Sequence, residues 1–133
     1  MKKFYLVVFL FALFLFLLPF TTYSADQIFT DLRKIAVQGK IEKDTFYLNS
    51  KSCSTKNNLH VAYYQKNDVL VFGYFDSQTG MIKNYIWNKS KGETSILSRR
   101  FDEIVDPKEA IKISEKEIED QAIKFRTSWI GCK

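Results

Sequence analysis

The sequence predicts an α+β fold. A four- to five-stranded antiparallel β-meander has an N-terminal helix and a C-terminal helix packed on it, and a signal peptide precedes the whole. Three observations predict this. Between Leu59 and Asn88, three β-rich runs (LHVAYYQ, VLVFGYFD and MIKNYIWN) are separated by the short turn signals KND and SQTG. On either side of this stretch apolar residues recur at helical spacing. At the start of the chain Lys2 and Lys3 precede an almost wholly apolar run from Phe4 to Phe20.

That N-terminal run has the parts of an export signal: a short positive region, an apolar region, and small residues in Thr21-Thr22-Tyr23-Ser24-Ala25. Cleavage after Ser24 places Thr22 and Ser24 at the two small-residue subsites. Cleavage after Ala25 places Tyr23 in one of them, which is poorer. Residues 1–25 are therefore expected to be a signal peptide and residues 26–133 a single domain. The alternative is an uncleaved N-terminal anchor, because the run is near the lower limit of about 17–25 residues that span a bilayer. Both readings keep the lysine pair inside and put the domain outside the cytoplasm. The expected location is periplasmic or secreted, or else anchored to the membrane through the N-terminal segment alone.

The whole chain has a formal net charge of +5, and residues 1–25 contribute two lysines and no acid, so residues 26–133 carry +3. That is too mild for a nucleic-acid binder. Both cysteines, Cys53 and Cys132, fall in the exported part. An even count in an oxidising compartment reads as one disulfide. The spacing fits neither a CxxC redox motif nor a zinc site.

The first helix is expected from Asp26 to Lys40, with Ile28, Phe29, Leu32, Ile35 and Ala36 as its apolar stripe and Gly39 as its C′ stop. Asp44 to Asn49 reads as a first strand, and the polar stretch from Ser50 to Asn58 as a loop that holds Cys53. In the meander, Ser77-Gln78-Thr79-Gly80 makes a four-residue hairpin loop with Gly80 in the left-handed position. Asp76 then pairs with Met81, Leu70 faces Trp87, Phe72 faces Tyr85, and Tyr74 faces Lys83. The preceding turn is expected to hold three residues, Lys66-Asn67-Asp68, with Asp68 in the left-handed conformation that loop needs, and this joins Leu59, Val61 and Tyr63 to Val71 and Phe75 on one aliphatic face. A slip of one residue would move that set to the opposite face. Thr94 to Phe101 is the last strand. The C-terminal helix is expected from Asp106 onward, with Ile111, Ile118, Ala122, Phe125 and Trp129 as its stripe. Ser114 with Glu117 is a second possible helix start, in which case Ala110 to Ile113 form a separate short turn or strand.

No catalytic signature emerges. His60 is the only histidine, and it sits at the start of a strand with no nucleophile context. It is expected half-exposed at a sheet edge. The acids from Glu115 to Asp120 fall on the solvent side of a helix. No spacing suits a metal, and no cofactor is expected. The suggestive feature is an aromatic sheet face. Tyr64, Tyr74, Tyr85 and Trp87, with Lys83, Arg99 and Arg100 nearby, are the candidate binding residues. The competing reading is that the first helix covers this face and the aromatics are core. The expected function is that of a small non-enzymatic binding protein, such as an inhibitor or accessory factor of an envelope system. Its partner would be another envelope or extracellular protein, or a glycan. The alternatives are a small hydrolase using carboxylates or His60, and a membrane-anchored envelope component.

Overall fold

The computed structural model describes residues 23–39, 41–43, 46–53, 57–103 and 106–132. The apolar N-terminal run, read above as signal peptide or anchor, lies outside the described residues. Helix α1 (Ala25–Gln38) starts one residue earlier than expected, because Ser24 caps it. Ser24 Oγ accepts from the Gln27 amide at 3.2 Å, and Gln27 Oε1 accepts from the Ser24 amide at 2.9 Å. The two bonds make a reciprocal capping box. Gly39 ends the helix, but with φ at −66° rather than in the left-handed region. Its role is spatial: a Cβ at Gly39 would overlap the Leu48 carbonyl oxygen.

Among the described residues seven strands follow, not the four to five expected: β1 (Ile41–Lys43), β2 (Phe46–Ser52), β3 (Asn57–Tyr64), β4 (Val69–Asp76), β5 (Met81–Asn88), β6 (Glu93–Arg100) and β7 (Ile111–Lys112). They form one antiparallel sheet in sequence order. Five strands are long, and the two edge strands β1 and β7 span three and two residues. Short edges present few unpaired backbone groups to other chains. Cys53 lies just beyond the end of β2, so the expected loop is largely strand; residues 54–56 lie outside the described residues.

The β4–β5 register is as expected: Asp76 pairs with Met81, Phe72 with Tyr85 and Leu70 with Trp87. Gly80 takes φ +72° in the hairpin loop. The β3–β4 register is not as expected. Tyr64 pairs with Val69, so the loop holds four residues, 65 to 68, and the pairing shifts by one. Asp68 does adopt the left-handed conformation, with φ +53°, and its carboxylate accepts from Tyr63 Oη at 2.8 Å. The shift places Leu59, Val61 and Tyr63 beside Tyr74, Phe72 and Leu70. The three residues therefore join the aromatic face, not the aliphatic one.

That face is the core. Phe29 of α1 packs edge-on to Trp87 at 5.2 Å and to Tyr63 at 6.3 Å. The C-terminal helix α2 (Glu115–Gly131) lays Phe125 against Phe72 at 5.4 Å and Tyr74 at 5.8 Å. Burying a side chain of this size contributes roughly 1.5–3 kcal/mol. An ion pair between Arg126 and Asp31, at 3.3 Å, joins α2 to α1. The two helices thus form one layer on one side of the sheet.

The single C-terminal helix expected from Asp106 is corrected. Pro107–Glu109 is a 3-10 turn, Ile111–Lys112 is strand β7, and α2 begins after Ser114, whose Oγ accepts from the Glu117 amide at 3.1 Å. Thr94 captures the segment between them. Its Oγ donates to the Ile113 carbonyl at 2.6 Å, and the Ile113 amide donates to the Thr94 carbonyl at 3.1 Å. Ile111, placed in the helical stripe by the sequence, is 68% exposed in β7. At the other end of α2, Cys132 is bonded to Cys53, with their Cα atoms 5.2 Å apart. Lys51 Nζ donates to the Trp129 carbonyl at 3.0 Å, so a cation sits where the helix dipole is negative.

Candidate interaction surface

Strand alternation sends half of the sheet's side chains away from the helices. By register this outward face carries Phe46 and Leu48 from β2, Ala62 and Tyr64 from β3, and Val69, Val71 and Phe75 from β4. Ile82 and Ile86 from β5 and Leu97 from β6 complete it. Most of these residues are half-buried by one another, while Tyr64 is 42% exposed. Phe101 stands beside Phe75 at 6.1 Å and is 61% exposed, which extends the apolar surface past the end of β6. Both described helices lie on the other side. Of the four outward positions on each of β2 to β6, only Glu93 and Arg99 carry a charge. Charged residues make up 26% of the chain, so these positions are depleted in them, and the edge strand β7 adds Lys112 beside Ser95.

A polar bridge crosses its centre. His60, Gly73 and Asn84 stand in one row on β3, β4 and β5. Gly73 has no side chain, so the imidazole reaches over β4 and its Nε2 donates to Asn84 Oδ1. A Cβ at Gly73 would overlap the Lys83 carbonyl oxygen, so the glycine also lets β4 and β5 approach. Burial lowers the His60 pKa, and the Asn84 hydrogen bond opposes the shift in part. The neutral ring is the form this surface favours. His60 therefore lies mid-sheet, not at the edge expected from the sequence. Its partner is an amide, which orients a ring but cannot relay its proton.

The seven residues expected to bind do not form one surface. Tyr85 and Trp87 are buried beneath the helices. Tyr74, on the same side, is half-buried against Phe125, and burial raises its pKa. Lys83 is exposed at the margin of that side. Arg100 is exposed and pairs with Asp102 at 3.7 Å. Only Tyr64 and Arg99 point to the open face, where Arg99 Nη1 donates to the Glu103 carbonyl at 3.0 Å. The aromatic side is occupied because Phe29 and Phe125 supply rings that fit over it. The residues that sequence reasoning missed are the outward aliphatics, Leu48, Val71, Ile82, Ile86 and Leu97. Their alternation is plain in the sequence, but alternation does not say which face the helices take.

Elsewhere the molecule offers little chemistry. Among the described residues no three His, Cys, Asp or Glu side chains gather as a metal site would require. A shallow recess of about 420 Å³ lies between β6 and β7, lined by Thr94, Ser95, Lys108, Lys112 and Ile113. A second, of about 350 Å³, lies along α1 beside Tyr23, Asp26, Asp31 and Lys34. Comparison with family models, with curated proteins and with solved structures returns no match.

Proposed function

We propose that this chain is a small exported, non-enzymatic interaction protein that docks another protein on the open face of its sheet. The observation that carries the reading is the apolar surface on which β2 to β6 carry charge only at Glu93 and Arg99. Large exposed apolar patches mark interaction sites, and the centres of interfaces are depleted in charged residues. Export is supported by the disulfide, which persists in oxidising compartments. A glycan site would stack sugars on exposed rings, and burial of Tyr85 and Trp87 favours a protein partner instead. A hydrolase would set His60 against an acid; its bond to Asn84 favours a structural role for the ring.

The test is a crosslinking pull-down from an envelope extract. The wild-type chain is compared with Tyr64→Lys and Ile82→Lys on the open face and with Lys34→Glu on α1. Open-face variants that stay folded should lose the captured partner, and Lys34→Glu should keep it. Equal capture by all of them would refute the reading.

A further inference from the structure

We infer that the protein docked on the open face is a second copy of this chain, giving a twofold sheet-on-sheet dimer. The inference rests on the docking role proposed above and adds the identity of the partner. Three features lead to it.

The first is size. Five strands spaced about 4.8 Å apart, with outward rows about 26 Å long, give a flat footprint of roughly 600 Å². Side-chain relief brings this near the roughly 800 Å² per partner of a standard interface. The second is charge. Two copies of residues 26–133 carry the same net charge of +3 and repel. A face on which β2 to β6 carry one acid and one base lets them meet closely with few like charges opposed.

The third is symmetry. Asn49, Val61, Phe72, Tyr85 and Ile96 form one row across β2 to β6, midway along the outward positions. A twofold axis lying above the sheet along this row superposes each strand on its own copy, running in the opposite direction. On β6, Glu93 and Arg99 are each three residues from Ile96, on opposite sides. The axis therefore brings Glu93 to the partner's Arg99, and Arg99 to the partner's Glu93. The two charges on β2 to β6 become two equivalent ion pairs at the rim, as an isologous interface requires. Val71 and Gly73 are likewise exchanged, which sets each Val71 against the partner's His60–Asn84 bridge. Sheets stacked this way pack about 10 Å apart with strand directions within about 30°.

The test is sedimentation equilibrium on the exported protein over a wide concentration range. The expected result is a reversible dimer. Val69→Glu should raise its dissociation constant by about tenfold or more, because on the central strand β4 each new acid then faces the partner's Phe75. Glu93→Arg should raise it about 3- to 10-fold by replacing attraction with repulsion at two sites. Glu93→Arg combined with Arg99→Glu should restore it to within about twofold, a recovery that damage to the fold cannot produce. A monomer at every concentration overturns the inference, as does a dimer that these substitutions leave unchanged. If the chain is monomeric but Tyr64→Lys still abolishes capture from the envelope extract, self-association fails and the docking role stands. If it is monomeric and capture is also unchanged, both fail.

Discussion

Removing the disulfide is the perturbation whose magnitude follows most directly from the structure. Cys53 and Cys132 are 79 positions apart, so the bond closes a loop of 80 residues. For such a loop the chain-entropy treatment gives about 15 cal/mol/K, or about 4.5 kcal/mol at room temperature, through restriction of the unfolded chain. The folded side changes less. The end of α2 stays tied to β2 by the Lys51 bond to the Trp129 carbonyl and by the Lys51 ammonium 4.8 Å from the Trp129 ring. Cys53→Ser with Cys132→Ser should therefore leave the fold intact and lower its stability by about 4–5 kcal/mol. That is about a quarter or more of the roughly 5–15 kcal/mol a domain of this kind has. In urea, with a slope of about 1–2 kcal/mol/M, the midpoint should fall by about 2–5 M. The slope itself should rise, since the uncrosslinked chain exposes more surface on unfolding. A loss below about 1 kcal/mol with an unchanged slope would show that the loop does not restrain the unfolded chain, and the entropic argument would be refuted.

Three further predictions follow from packing and protonation. Phe125→Ala removes a fully buried ring that touches Phe72, Tyr74 and Trp129, and it should cost about 3–5 kcal/mol in urea unfolding. Gly73→Ala drives a Cβ into the Lys83 carbonyl and should cost about 2–3 kcal/mol, with faster amide exchange confined to β4 and β5. The His60 pKa is held below 6.5 by burial, so the unfolded chain takes the proton first. Its contribution is complete above about pH 6.5 and is lost as the pH falls towards the folded-state value. Outward neighbours by register, Ser50, Asn58, Ala62, Val71 and Phe75, carry no charge that would reverse the sign. Thermal melts between about pH 7.5 and about pH 5 should show this slope, and His60→Gln should flatten it.

Much of the fold was legible in the residues. The hairpin at Gly80 fixed the β4–β5 register because a glycine with positive φ admits few loop geometries. The apolar stripe of α1 predicted its buried side, with Ile28, Phe29, Leu32 and Ala36 all inside. The β3–β4 turn failed for a definite reason. Asp68 was identified as the left-handed residue, but the loop takes one residue more than that conformation requires. Preference for a purely aliphatic face then chose the wrong register, whereas the core mixes Leu59, Val61 and Leu70 with aromatic rings. The C-terminal break was hidden by phase. Ile111 lies seven residues before Ile118 and fits the helical stripe by spacing alone, while the Thr94 contacts that pull its segment into β7 come from a distant strand. The candidate surface was concealed by the same error. The aliphatic outward positions look like core in the sequence, and only the placement of both helices over the aromatics leaves them open.

The sequential order of the strands has a kinetic consequence. Each strand pairs with the one made just before it, so every step of sheet formation closes only a short loop. A chain with such local contacts assembles quickly for a β protein. The distant contacts are of another kind: α2 against α1, and Cys132 against Cys53. They need the whole meander in place and are made last. Interactions formed after the rate-limiting step slow unfolding without hastening folding. The hairpin turns therefore govern how fast this protein forms, and the C-terminal helix with its disulfide governs how long it lasts.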